Sequence, residues 1–400
     1  MKTLKKHIIT IGTSLILLAS QAFSVDFGGS LNNNTKFSTP TLPEDSFFDD
    51  FSLKQQDSLN AWLRIPFNNS GTHYLVAQVS GMWQYDIPSL DENDGDSTWI
   101  FDLDLLKYSN FIPLSNGSLQ INAGRFFVSD TTSIIFSQVA DGLNLSYSGN
   151  VFDISVYGAY TGLLNAQNVT ILNASDSEYS FDSDKVYDFA APYIVSSLTL
   201  ELPYLFANQS LVLEGYGFFG VSSPNDGTSG YKRAYGTVSL NGPLAASVFY
   251  TLSTTIGSED FDGISNLSKL ALNYYPNFYS ASIGLEGIYA SGENGPFDYF
   301  KGFSSQTALA SFSEPQYSGL IKTGLNASIK PIQTLFLGLG ANIAMLDAED
   351  SFEYYGFEWN LSSKFQVLSD LQLSLLANQF IGDKSEENKA SLTFKASISF

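Results

Sequence analysis

Residues 390–400 alternate without a break: Ala390, Leu392, Phe394, Ala396, Ile398 and Phe400 take every second place, with Ser391, Thr393, Lys395, Ser397 and Ser399 between them. A period of two over eleven residues belongs to a strand with apolar surroundings on one face and water on the other. A strand that ends a chain has no following turn to hold it. Its edge has to be satisfied elsewhere, and the simplest partner is the first strand of a closed barrel.

The opposite end points the same way. Lys2, Lys5 and Lys6 precede an apolar run from Ile8 to Ala19, then Ser20-Gln21-Ala22-Phe23-Ser24. A charged start, a short apolar stretch and a small-x-small site predict an export signal over residues 1–24, with the barrel over 25–400 and Val25 as the mature start. The run is too short and wrongly flanked for a spanning helix, and no later stretch is long and apolar enough. An exported chain of this kind satisfies its backbone inside a membrane only by closing a barrel.

Charge and composition exclude several classes. Lys and Arg number 19 against 40 Asp and Glu, a net charge of −21, and the signal takes three lysines and no acid with it. Phosphate binding needs the opposite sign, so nucleic acid is excluded as a partner. Cysteine is absent, and of the two histidines His7 lies in the signal, leaving His73. Thiolate sites and multi-histidine clusters are therefore ruled out, and no cofactor or metal is expected. The 32 Phe and 22 Tyr, at a mean hydropathy near zero, suit a barrel with aromatic belts.

From about residue 58 the chain divides into segments of period-two hydrophobicity. Leu59-Ala61-Leu63-Ile65, Leu75-Ala77-Val79-Gly81-Trp83 and Trp99-Phe101-Leu103-Leu105 are the first rows, and Leu371-Leu373-Leu375 is the last before the terminal strand. Short turns are expected at Gly149-Asn150, Asn241-Gly242-Pro243, Tyr275-Pro276-Asn277, Pro331-Ile332 and Ser369-Asp370. Longer polar connections run from Leu163 to Asp188, Ser222 to Gly230, Gly257 to Gly263, Gly292 to Gln316, Asp347 to Glu353 and Gly382 to Asn388. Short-long alternation is the mark of an outer-membrane barrel. Keeping that parity to the start requires one more strand near Val25 to Phe37. The expectation is an all-β, transmembrane, antiparallel up-and-down barrel of about 18 strands, with 16 as the alternative.

Charged residues fall on the face opposite each apolar row. Arg64, Asp102, Asp104, Asp153, Glu201, Glu214, Arg233, Lys269, Glu286, Lys322, Glu358, Lys364 and Lys395 all obey this rule. A Lys or Arg on the lipid face at mid-bilayer would cost roughly 2–4 kcal/mol, so these thirteen are expected to line a water-filled pore. A soluble β-sandwich gives the same alternation, but it would need edge protection, and the signal, turns and tail all favour closure.

Leu119 to Phe127, then Ser129 to Ala140, then Asp141-Gly142-Leu143-Asn144-Leu145-Ser146-Tyr147, resembles a recurrent porin hairpin, in which a strand ending Gly-Arg leads through a loop into Asp-Gly-apolar-x-apolar. Arg125 breaks the parity of its strand. Either a bulge at Gly124 turns it into the lumen and puts Phe126 on the lipid side, or it snorkels at the outer interface. The loop carries Ile134, Ile135 and Phe136 in succession. As the third outer loop it corresponds, by resemblance, to the one that narrows classical porins. It is expected to pack on the inner wall beside Arg125, Asp102 and Asp104, unless its apolar residues merely extend the hairpin.

The terminal strand ending in Phe400 resembles the assembly signal of bacterial outer-membrane barrels. That implies a cell outer-membrane location, membrane lipid as surroundings and recognition of Phe400 by the barrel-assembly machinery. Trimers are usual in the resembled family. Acidic clusters at Glu44-Asp45-Asp49-Asp50, Asp91-Glu92-Asp94-Asp96, Asp176-Glu178-Asp182-Asp184 and Glu259-Asp260-Asp262 would place a negative field at the mouth. The functional reading is passive diffusion of small hydrophilic solutes with a weak cation preference. The alternatives are a substrate-specific carrier of the fatty-acid-transporter type and a surface adhesin. No enzyme is expected: His73 falls at a turn on the inner side of the membrane, away from where barrel hydrolases keep their histidine.

Overall fold

The computed structural model describes residues 25–39, 51–88, 95–169, 171, 185–221, 231–292, 295–304, 308–309, 316–348, 351–383 and 388–400. The signal segment and the acidic clusters at 44–50, 91–94 and 176–184 lie outside them. The strands are β1 (Asp26–Thr39), β2 (Ser52–Pro66), β3 (His73–Ile87), β4 (Asp96–Leu114), β5 (Gly117–Ser129) and β6 (Ser137–Gly149). Next come β7 (Asp153–Tyr160), β8 (Tyr193–Phe206), β9 (Gln209–Gly220), β10 (Lys232–Ala245), β11 (Val248–Glu259) and β12 (Asp262–Tyr274). The series ends with β13 (Ser282–Ala290), β14 (Leu320–Ile332), β15 (Leu335–Ala348), β16 (Ser351–Gln366), β17 (Leu371–Gly382) and β18 (Lys389–Ser399).

Each strand pairs antiparallel with its sequence neighbours, and β18 returns to β1 from Ser30↔Ser399 to Thr39↔Ala390. The amide of Phe400 donates to the Gly29 carbonyl at 3.0 Å, and Gly29 returns the bond at 2.9 Å. The ring of 18 strands is therefore closed, as the terminal alternation demands, and the weak first strand near Val25 is real.

Connections at one end are short and at the other mostly long. The sequence misplaced some of them. The β10–β11 turn is residues 246–247, so Asn241, Gly242 and Pro243 remain in the strand, and the β14–β15 turn is 333–334 rather than Pro331-Ile332. Gly and Pro were read there as turn punctuation, but strand pairing runs on past them. The long connection expected from Gly257 to Gly263 is a two-residue turn, Asp260-Phe261, with φ of 49° and 61°. Two successive left-handed residues give the primed turn whose twist suits a tight hairpin. β15 and β16 likewise stay paired as far as Ala348↔Ser351, within the longer connection expected from Asp347 to Glu353.

One row also changes face. Gln78 pairs with Leu105 but Val79 with Leu103, so Asp104 is an extra residue in β4. Such a bulge reverses the alternation beyond it. Trp99 and Phe101 are exposed as expected, whereas Leu106 takes over outside and Leu105 packs inward, not outward.

A Cβ on Gly29 would sit 2.7 Å from both the Phe400 ring and the Asn60 carbonyl. Gly29→Val is expected to destabilise closure by about 1–3 kcal/mol through overpacking. The readout is a lower unfolding temperature in the heat-modifiable gel shift, with Gly158→Val, where a Cβ meets nothing within 4 Å, leaving the shift unchanged.

Candidate functional site

Exposed Leu31, Leu59, Val79, Leu145, Val156, Leu198, Val238, Leu252, Leu285, Leu325, Leu361 and Phe394 share one face of the ring by register. The thirteen charged residues predicted from parity stand on the other. Several are tied to neighbours there. Arg64 reaches Asp26 at 3.6 Å, donates to the Gly71 carbonyl and lies over the Tyr74 ring. Glu286 joins Lys269 at 3.1 Å and Lys322 at 3.5 Å. Asp104 accepts from Ser80 and Gln78, Glu201 from Ser210, and Asp153 from the Gly149 amide. Glu358 is fully buried and accepts from Asn342, while Lys364 lies over Phe336. Lys395 sits between Asn34 and Ser374 in register.

Within the ring is an apolar mass that no strand supplies alone. Ile135 and Phe136, both fully buried, pack with Phe218, Tyr193 and Phe303. The Phe218 and Phe303 rings stack at 4.1 Å, and Tyr193 meets Phe303 edge-on at 4.9 Å. The amides of Phe303 and Ser304 both donate to the Ile135 carbonyl, joining the β5–β6 loop to the β13–β14 connection. Leu164, Ala166, Ala190 and Ala191 of the β7–β8 connection belong to the same cluster. The third loop thus packs on the inner wall, and its Ile-Ile-Phe run does not extend the hairpin as strand.

Its anchors differ from those expected. Asp130, almost fully buried, accepts from the amides of Thr132, Ile135 and Phe136 and from the Thr132 hydroxyl, so one carboxylate shapes the whole loop. Burial raises its pKa, and the donors oppose that rise. The Thr131 amide donates to Glu214 of β9 at 2.8 Å. The loop is therefore fastened to β9, not beside Arg125, Asp102 and Asp104.

Those three serve a different junction. The β4–β5 ladder stops at Leu106↔Arg125, although β4 runs on to Asp96 and β5 to Ser129. The two strands part there, and the β7–β8 connection fills the gap: Phe101 bonds Val186, Asn165 donates to the Phe101 carbonyl, and Asn168 donates to Asp102. Arg125 closes the seam. It forms a fork to Asp141 at 3.0 and 2.8 Å, donates to the carbonyls of Leu103 and Leu163, and lies 3.5 Å from Asp102. The β5–β6 register is unbroken through Gly124, so the expected bulge is absent, and Phe126 turns into the core rather than to lipid. Arg125 is buried, not snorkelling, because a pair across the ladder plus two free-edge carbonyls satisfies it.

Sequence reasoning missed Asp130, the wall anchor that Glu214 offers, and the inward run containing Phe300 and Phe303. The signal was there: Phe297, Tyr299, Phe300 and Phe303 crowd a connection read as polar. Asp141 stood in the hairpin motif, but its partner could not be named without the register. Among the described residues no group of three or more His, Cys, Asp or Glu side chains is placed to hold a metal.

No protein-family model matches the chain, and no curated protein does. Solved structures do. Pseudomonas aeruginosa OccK9 (OpdG) aligns with a TM-score of 0.59 at 10% identity, covering 94% of this chain and 98% of that one. OccK5 (OpdH) of the same organism gives 0.57 at 12% identity with the same coverage. OccK2 (OpdF), solved in complex with glucuronate, gives 0.58 at 12% identity, again over 94% and 98%. A closed 18-strand antiparallel β-barrel with an inward-folded loop mass is the fold that this chain and these structures have in common. At this identity the likeness is one of fold, shared with these Pseudomonas aeruginosa proteins over nearly their whole length.

Removing Arg125 strands the Asp141 carboxylate and two carbonyls. Arg125→Ala is expected to destabilise the protein by about 3–5 kcal/mol and to expose the β7–β8 connection to protease, with Arg125→Lys failing to restore the fork. Asp130→Ala leaves buried loop amides without an acceptor, at about 1–3 kcal/mol each. The expected readout is a barrel that still forms but is cut by protease at its third loop, because that loop has come off the wall.

Proposed function

We propose that the protein is an outer-membrane channel for passive diffusion of small hydrophilic solutes, lined by Arg64, Asp102, Asp104, Asp153, Glu201, Lys269, Glu286, Lys322, Lys364 and Lys395, with the buried Arg125, Glu214, Arg233 and Glu358 holding the wall and the loops rather than facing the stream. The observation that carries this is the asymmetry of the loop mass. Its wall contacts run from β5 to β15, with Phe380 on β17, and it has no buried member on β18, β1, β2 or β3. That arc is the free side of the lumen. It presents Lys36 opposite Lys54 in register, with Arg64 and Lys395, against Asp26 and Asp86. Acidic Asp153 and Glu201 stand on β7 and β8, about a third of the ring away. The field across the pore therefore points from the basic arc to the acidic one.

Ion preference follows from which part of the path is narrowest. A weak cation preference would come from the acidic outer segments, which raise cation concentration at the mouth. The basic arc supports the opposite sign at the constriction, and it is the reading the described geometry favours. One acidic segment is also less negative than its sequence: Glu259 is 3.6 Å from Arg233 and 3.2 Å from Lys301.

Self-association, expected as a trimer, is supported by one patch on the membrane side. Asn33, Thr35, Gln55 and Asp57 lie in the outward rows of β1 and β2 and bond one another, Asn33 to Asp57 at 2.7 Å and Thr35 to Gln55 at 2.5 Å. Apolar neighbours enclose them: Leu31 and Leu59 below, Phe37 and Leu53 above, Trp83 and Phe394 to the sides. An acidic group amid a lipid-facing surface is stabilised by a protein partner more readily than by hydrocarbon. Passage of residues 1–24 as a cleaved signal and engagement of Phe400 by the assembly machinery complete the proposal.

Purified protein in planar bilayers under a KCl gradient is expected to give stable open channels, which a carrier or adhesin would not. The reversal potential is expected on the anion side. Lys36→Glu with Lys54→Glu should move it several-fold toward cations, the change expected when two charges at close range reverse sign. A cation-side potential that these variants leave unmoved returns the selectivity to the acidic mouth.

A further inference from the structure

On the inner face of β13 to β16, carboxamides and glycines interlock in a repeating way. Gly284 pairs with Asn326, Gly324 with Asn342 and Gly340 with Asn360, and Asn326 in turn faces Gly340. Each side chain lies flat over the glycine beside it: a Cβ would stand 2.6 Å from Asn326 at Gly284 and 2.6 Å from Asn360 at Gly340. The glycines remove the wall's second layer, and the result is a groove of about 380 Å³. At ~30 Å³ per water, that is room for about a dozen waters, the scale of a monosaccharide.

The lining has a definite chemistry. Asn326, Asn342 and Asn360 alternate with Ser282, Ser328 and Ser362, so donors and acceptors are interleaved along the groove. The carboxamides of Asn326 and Asn360 form no hydrogen bond with any described residue, whereas Asn342 is held to Glu358. The one carboxylate in the groove, Glu286, is already neutralised by Lys269 and Lys322. Phe336 closes one end with an apolar ring, beside Lys364. A group that both accepts and donates at each atom, carries no charge and has one apolar face meets every feature of this lining; a hydroxyl-rich sugar ring is that group.

We propose that this groove is a subsite for neutral polyhydroxylated solutes, such as hexoses, along the channel wall. It rests on the channel reading above and names a solute class for it. Anionic solutes would follow the basic arc of β18 to β3, and neutral sugars the carboxamide wall of β13 to β16.

The test pairs two measurements on the full-length barrel: binding of glucose and of glucuronate to detergent-solubilised protein by saturation-transfer NMR, and sugar block of KCl current in bilayers. The variant is Asn326→Leu with Asn360→Leu, near-isosteric changes at an exposed and a half-buried inner position that leave the ladder intact. Glucose is expected to bind and to lengthen current blocks, and each lost hydrogen bond should weaken this roughly five-fold. Unblocked KCl conductance should stay at the wild-type value. Glucose that neither binds nor blocks, or that binds equally well to the variant, overturns the subsite while KCl current keeps the channel reading intact. Asn-dependent glucose binding without KCl current upholds the subsite and removes the channel instead. A double variant that loses KCl current as well is checked with Ser362→Ala, which keeps every carboxamide: a several-fold loss of glucose binding there supports the groove, and none overturns it.

Discussion

Everything in this molecule depends on the return of β18 to β1. A ladder that closes leaves no backbone donor or acceptor facing hydrocarbon, and in a bilayer an unsatisfied group costs several kcal/mol with no water to relieve it. The closure is held by ten residue pairs and by the mutual bonds of Gly29 and Phe400. Glycine is required at the junction because the terminal ring and a neighbouring carbonyl already occupy the space where a side chain would begin. Once the ring is closed, alternation alone decides what faces lipid and what faces water.

Closure creates a second problem, an interior too wide for wall side chains to fill. The chain solves it with connections rather than strands. Aromatic residues from three separate segments meet around Phe303, and their backbones are cross-tied at Ile135. This interior mass carries its own polar anchors in Asp130 and Glu214, and so behaves as a folded core that lies inside the ring of strands. The same connections repair the wall where β4 and β5 diverge, with Arg125 as the clamp.

The architecture was legible from sequence because it rests on period two, which each strand declares locally. The strand number and the first strand at Asp26 both follow from counting alternate places. What could not be read has a common cause. Asn241-Gly242-Pro243 and Gly257 to Gly263 carry turn-forming residues, yet whether a chain turns there depends on the partner strand's length. The extra residue at Asp104 is invisible without the register to β3. Arg125 was recognised as a parity violator, but its solution lies with Leu163 and Tyr187, brought in by a connection from a later part of the chain. Local pattern specifies strands; long-range closure of gaps between them does not leave a local trace.

The one-sided attachment of the interior mass has a geometrical consequence. Among the described residues, β18, β1, β2 and β3 contribute no buried member to that mass. A passage on that side would have strand wall on one flank and loop on the other, so its width would follow the seating of the loops rather than the diameter of the barrel.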